Sequence, residues 1–435
     1  MKNIFLTIML IISQLSNIQA QRKFENLEAL LTYADAKSIL IKVNDIRLLQ
    51  AKKTLLASKL AIADPLANVS TSFTDNTRLP VNILPAEILG GKPGEFREVQ
   101  FGVRYNTNST QNIDIKLLNL EGWQNFKLSE INIQISENDV KVTQKNLHDN
   151  IASAYYNIVQ LYAQMESTKQ NLMVSDTLLA LAGRKYKQGI VKQQDVNDSR
   201  VNQLTIKESI NQIEFLLKQN YLMLKILSDI PESENIEILE RINTSEIISK
   251  PMVMSNNLLV ESNRLKELSA STTIQKTKRA FAPTVSFVAS NSFNQYNNDF
   301  TLFGGKWITS NYVGLKLNFA LPNANTLTNK FKAQYDYQLA QKNTEQAQIK
   351  ADLTVSQLET DWEKASSQTR NYSEIIEIQR DTYNKNKNLY NEGLISIDRV
   401  LNSFNALTNA IYSLNAAKVS ISLAQAKIDI NNKIK

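Results

Sequence analysis

Cysteine is absent from all 435 residues. That excludes disulfides, thiolate metal sites, cysteine nucleophiles and lipid attachment through a processed cysteine, so packing alone must hold the fold. Histidine occurs once, as His148 at the edge of a helical seam, where it reads as a solvated surface residue. With no Gly-rich phosphate loop and no Ser/His/Asp order in structural context, the usual acid–base, nucleophile and metal arrangements lack parts. The chain does not read as an enzyme and implies no cofactor. No apolar run after residue 20 is long enough for a transmembrane helix, so a membrane crossing must use a β-barrel. The formal net charge of +7 comes without any basic block interleaved with aromatics, which argues against nucleic acid as a partner.

What is present at the start is a single charge, Lys2, an apolar run from Ile4 to Ile12, and the small-residue end Ile18-Gln19-Ala20. Residues 1–20 therefore read as a secretory signal peptide. Glycine and proline are few, eleven and eight, and sit where helices must stop. Neither occurs between Pro322 and Gly393, so nothing over about 70 residues forces a break, and a continuous helix there runs roughly 105 Å. It ends at Tyr390-Asn391-Glu392-Gly393, where glycine can take the left-handed backbone, and a second unbroken run, Ile397 to Ile434, turns back along it.

This hairpin occurs twice. Tyr186-Lys187-Gln188-Gly189, then Asp195-Val196-Asn197-Asp198 and a run to Ile230, has the same order as Tyr390 to Gly393, then Asp398-Arg399-Val400-Leu401-Asn402 and its run. Upstream, Ala63-Asp64-Pro65 leading into Val69–Phe73 is echoed by Phe281-Ala282-Pro283 leading into Val285–Phe287. The boundaries that follow are repeat 1 at 21–231, an inter-repeat segment at 232–250 and repeat 2 at 251–435. In repeat 1 two barrel strands are expected within about 66–107 and the tip turn at about 183–195. In repeat 2 the strands fall at about 283–321 and the turn at about 390–398.

Phe24 to Asp64 holds no breaker and carries a heptad seam of Leu27, Leu30, Ala34, Ile41, Leu48, Ala51, Leu55 and Ile62, which predicts one helix. Val99–Asn106 alternates strictly between apolar and polar or glycine, which predicts a strand with one greasy and one wet face. Val285, Phe287, Ala289 and Phe293, then Val313, Leu315, Leu317 and Phe319, repeat that pattern. Four strands cannot close a barrel, but three chains supply twelve, an even number within the outer-membrane range. Phe73, Tyr105, Phe293, Tyr296, Trp307 and Phe319 suit an interfacial girdle. Ile151, Ala154, Ile158, Leu161, Met165, Thr168, Leu172, Ser175, Leu179 and Ala182 keep three and four spacing, and Trp362 lies in the matching seam of repeat 2. Met165 and Trp362 are thus packing residues, not ligands. The fold class is mixed: long antiparallel α-helical hairpins in a coiled-coil-like α-barrel, plus four strands per chain.

The repeated order of helix, strand pair, long helix, Tyr-x-x-Gly turn and helix, with Pro65 and Pro283 at the helix-to-strand switches, resembles the TolC outer-membrane efflux family over essentially the whole chain after residue 20. The resemblance implies a homotrimer with one twelve-stranded barrel in the outer membrane and a helical tunnel in the periplasm. It also implies an exit duct for efflux or type I secretion, working with a periplasmic adaptor and an inner-membrane pump. It places the glycine turns at a tip aperture, with Asp195, Asp198, Tyr390, Asp398, Arg399 and Asn402 as gating candidates. The turn residues Tyr186, Gly189 and Gly393 follow, and Arg184, Lys185 and Lys187 become a docking face for the adaptor. Repeat 2 carries Ile395, Arg399 and Asn402 where family members have an arginine latch and an acidic ring, while Asp195 and Asp198 match in repeat 1. Asp195 pairing with Tyr390 is the implied closing contact; capping of a helix start is the other reading of Asp195 and Asp398. The rival from another class is a non-conducting periplasmic coiled-coil structural or adaptor protein.

Overall fold

A computed structural model describes residues 22–242, 250–302 and 304–435. The expected signal peptide, 1–20, lies outside the described residues, as do 243–249 of the inter-repeat segment. Chain order is β1 (Arg22–Phe24), α1 (Leu27–Lys37), α2 (Ile39–Leu60), β2 (Leu66–Asp75), β3 (Val81–Pro85), β4 (Phe96–Gln100), β5 (Tyr105–Leu118), α3 (Leu120–Lys187) and α4 (Gln193–Ser228). There follow β6 (Ile236–Ile238), α5 (Leu258–Arg279), β7 (Thr284–Asn297), β8 (Trp307–Asn318), α6 (Ala324–Asn391) and α7 (Ile397–Lys433). The internal repeat is metric: α3 and α6 have 68 residues each, and α4 and α7 have 36 and 37. The chain divides into two compact units, one drawn from residues up to Arg47, Glu137–Asn263 and Thr344–Lys435, the other from Leu48–Ser136 and Arg264–Asn343.

The second of these units holds an antiparallel sheet in the order β2-β5-β7-β8. Side chains alternate across a strand, so the register sorts them into two faces. One face is polar along β5 and β7, where Asn108 bonds Asn294 at 2.5 Å, Thr110 meets Ser292 at 3.2 Å and Ser290 donates to Asn112 at 2.8 Å. The opposite face stacks apolar rows: Ile113–Ala289–Val313, then Ile115–Phe287–Leu315, then Val285–Leu317. The apolar rows are open to solvent in the single chain, with Val313 and Leu315 both over 70% exposed.

The second strand of repeat 1 is not where the alternation put it. Val99 and Gln100 end the short β4, which forms a hairpin with β3, and the long partner of β2 is β5, beginning at Tyr105. The alternating stretch is real but local. β5 carries Asn, Thr, Asp and Lys on one face and Thr, Ser and Gln over half of the other, so it has little apolar period to detect. The first helix also departs from expectation, since it breaks at Ser38 (ψ 126°) with no glycine or proline present. A carboxylate supplies the reason: the Ile39 N–H, orphaned at the start of α2, donates to Asp229 Oδ2 at 2.8 Å. Asp229 ends α4 in the left-handed region, φ 51°.

The first unit is held by a core of Leu30, Ala34, Ile151, Tyr155, Ile158, Leu224, Ile238 and Ile430, with β1 laid parallel to β6. The buried part of the α3 seam runs as predicted through Ile151, Ala154, Ile158, Leu161, Met165, Thr168 and Ser175, then takes Leu178 rather than Leu179 before Ala182. Tyr155 sits in this core with its hydroxyl donating to Glu240 at 2.7 Å, and burial together with that bond pushes its phenol pKa far upward. His148 is not a surface residue. It is 8% exposed, and its Nε2 lies 2.7 Å from Asp35 Oδ1 because α1 packs across this stretch of α3. Trp362 is half-buried in the α6 seam, as expected of a packing residue.

Candidate functional site at the glycine turns

Both long helices stop by the same device. After α3, the Gly189 N–H reaches Tyr186 O at 2.9 Å and the Ile190 N–H reaches Lys185 O at 2.9 Å. After α6, the Gly393 N–H reaches Tyr390 O at 3.1 Å and the Leu394 N–H reaches Leu389 O at 2.9 Å. These nested bonds satisfy the last carbonyls of a helix and need a left-handed residue, here φ +73° at Gly189 and +79° at Gly393. The turns then leave Ile190 and Leu394 standing in solvent.

The returning helices start differently. At α4 the Asp195 carboxylate accepts the Lys192 N–H at 2.8 Å, so Asp195 caps the helix as one of its two readings predicted. Asp198 accepts from Gln194 Nε2 at 2.8 Å on the same surface. At α7, Asp398 lies in the first turn and is exposed, with no hydrogen bond or ion pair of its own among the described residues; Arg399 and Asn402 are exposed beside it.

The two tyrosines occupy equivalent sequence positions and opposite environments. Tyr186 is 45% exposed, whereas Tyr390 is 1% exposed in a cluster with Leu178, Ile376, Ile397 and Val400. Lys185 accounts for much of the difference. It is 8% exposed, its ammonium stands 4.3 Å from the Tyr390 ring centroid, and Nζ donates to Tyr390 O and, at 3.2 Å, to Asn391 O. A buried cation is tolerable only when several acceptors replace its water, and the end of a helix offers free carbonyls and negative potential. Lys185, on α3, thus clasps the C-terminus of α6.

Of the expected site residues, Asp195 and Tyr390 come near one another but do not hydrogen-bond. The phenol oxygen has no partner, and the Tyr390 pKa is raised first by burial and then by the Asp195 charge. Arg184 and Lys187 are exposed, but Lys185 is withdrawn from the basic surface expected of it. One comparison between the repeats could have found it: Lys185 in the first copy is Leu389 in the second. Among the described residues no group of three potential metal ligands exists.

A sequence profile of the outer membrane efflux protein family matches residues 100–227 and 251–430, more than half of the chain. The chain belongs to this family. The family is one of TolC-like channels and not of enzymes. Solved structures share the fold at low identity. The outer membrane protein VceC from Vibrio cholerae is 16% identical over 93% of this chain and 95% of its own, with a TM-score of 0.74. The Campylobacter jejuni CmeC outer membrane channel is also 16% identical, over 94% and 85%, at 0.69. The Neisseria gonorrhoeae MtrE outer membrane channel, solved in its open state, is 12% identical over 93% and 88%, at 0.70. No relative is found among curated protein sequences.

Proposed function

We propose that three copies of this chain close a twelve-stranded barrel in the outer membrane, continued by a periplasmic helical tunnel. The assembly is the passive exit duct of a tripartite efflux or type I secretion system. One observation carries the reading: a four-stranded sheet whose edge strands, β2 and β8, each pair on one side only, with apolar rows on one face and hydrogen-bonded Asn, Ser and Thr on the other. Open edges and a bare apolar face are liabilities in water and requirements in a barrel that closes by adding copies. Exposed Phe331, Tyr335 and Leu339 on α6, and Phe215, Met223 and Ile226 on α4, supply the same need along the helices.

In this reading the glycine turns form the periplasmic aperture, where Asp195, Asp198, Asp398, Arg399 and Asn402 set its charge and the Lys185–Tyr390 clasp holds the hairpins closed. Arg184, Lys187 and Tyr186 offer a docking face to an adaptor, which couples the duct to an inner-membrane pump. The non-conducting coiled-coil alternative leaves the apolar sheet rows unexplained. The test is reconstitution in planar lipid bilayers: discrete ion-conducting steps from protein that stays with the outer membrane through carbonate washing support the duct. A carbonate-soluble product that gives no current refutes it.

A further inference from the structure

The first compact unit holds a cleft of about 840 Å³ between α1, α3 and α7, a volume that suits a drug-sized molecule. Leu27, Leu31, Ala426 and Ile430 give it an apolar lining. Tyr156 also lines it, 8% exposed, and the Tyr156 hydroxyl makes no hydrogen bond among the described residues. Its neighbours on α3 are not left so: Tyr155 donates to Glu240 at 2.7 Å, and Tyr162 meets Tyr221 at 3.0 Å. A buried polar group with no match inside the chain calls for a partner from outside it.

The charges that act on this hydroxyl are of one sign. Glu240 and Asp429 both line the cleft, and both add to burial in holding the proton on the Tyr156 phenol. Neither carboxylate is in an ion pair among the described residues. Glu240 accepts from the neutral Tyr155 hydroxyl, and Asp429 accepts from Gln425 Nε2 at 3.0 Å, which leaves Gln425 Oε1 buried without a donor. The cations of the same cleft are spent elsewhere. Lys433 pairs with Glu28 at 3.2 Å and His148 with Asp35 at 2.7 Å, while the exposed Lys141 is not among the charges felt by Tyr156.

We propose that the cleft binds a small organic ammonium, whose charged head meets Glu240, Asp429 and the Tyr156 oxygen and whose apolar body lies along Leu27, Leu31, Ala426 and Ile430. An ammonium has three donors and no acceptor, which matches two carboxylates and a phenol oxygen. An anion would face both carboxylates. A metal ion lacks a donor set, since among the described residues no group of three potential metal ligands exists. Every residue concerned lies in one unit of a single chain, so the site does not depend on the barrel reading.

The test titrates dansylcadaverine, a primary ammonium joined to an apolar fluorophore, into the intact protein in nonionic detergent, with protein-free micelles as the blank. Saturable binding with a blue-shifted rise in dansyl emission is the expected result, and acetylating the probe's amine should weaken it about tenfold or more. Tyr156→Phe removes only the hydroxyl and should weaken binding severalfold. Glu240→Gln keeps an acceptor for Tyr155, Asp429→Asn alters an exposed residue, and the two together should weaken binding about tenfold. Circular-dichroism melts check that the variants fold; should the double variant not fold, Asp429→Asn alone is read, with a severalfold loss expected. No saturable binding, equal affinity for the acetylated probe, or undiminished affinity in the folded carboxylate variants overturns the proposal.

Discussion

Replacing Lys185 by Met removes the ammonium and keeps most of the buried stem, so packing changes little while the clasp on α6 is lost. The clasp comprises two hydrogen bonds from a charged donor, to Tyr390 O and Asn391 O, and a cation 4.3 Å over an aromatic ring. Bonds of that kind contribute ~1.5–3 kcal/mol each and the ring ~0.5–2 kcal/mol, set against a desolvation cost of several kcal/mol for burying the ammonium. A net of ~2 kcal/mol favouring the clasped tip is the reasonable balance, and it converts to a roughly 30-fold shift toward the unclasped state. Single-channel recording in planar bilayers reads this as a rise in open probability or conductance for Lys185→Met. Tyr390→Ala removes the ring but leaves the backbone carbonyls, so a double-mutant cycle with Lys185→Met isolates the ring's share, about 0.5–2 kcal/mol. Because the phenol oxygen has no partner, Tyr390→Phe alone should leave the current unchanged. Wild-type current from Lys185→Met, with its melting temperature unaltered, refutes the clasp as a restraint on the aperture.

Gly393→Val places a branched side chain at φ +79° where an added Cβ meets no atom within 4 Å, so the penalty is purely conformational, ~1–2 kcal/mol. Hydrogen exchange at the end of α6 should speed up accordingly and be restored in part by Gly393→Asn. Asp229→Ala frees the Ile39 N–H and should cost ~1–2 kcal/mol in chemical denaturation, with Asp229→Asn recovering most of it. Burial holds the phenols of Tyr155, Tyr156 and Tyr221 above their ordinary range. Folded-state pKa values raised in this way contribute stability that is complete below about pH 10 and lost as pH rises beyond it, since the unfolded chain sheds protons the folded one keeps. Melts followed by circular dichroism should fall above that pH, less steeply in Tyr156→Phe; a flat profile counts against the assignment.

The parts of the fold that could be read from residues alone are those with a single dominant cause. The second 68-residue helix followed from the absence of glycine and proline between Pro322 and Gly393, the first from its match to that order in the repeat although it carries Gly122 and Gly183 near its ends, and both ends from Gly189 and Gly393. β7 and β8 showed themselves by period two because one face is greasy. β5 did not, since its outward side passes from Ile113 to Gln111, Ser109 and Thr107 and so loses the contrast that periodicity needs. The break at Ser38 depends on Asp229, about 190 residues away in sequence, and no local signal encodes such a partner. At the tip, Asp195 was legible as a helix cap because capping is a local interaction. Lys185 was not, because its burial is decided by the other hairpin, and a lysine at a helix end looks solvated until Tyr390 is placed over it. His148 hid for the same reason beneath α1 and Asp35.

The account rests on one chain supplying a third of a closed barrel. The mass of the intact assembly, taken by native mass spectrometry from detergent micelles, tests that most directly. Three copies ejected together from the micelle is the predicted result. A single copy, released equally well without any detergent, would contradict it.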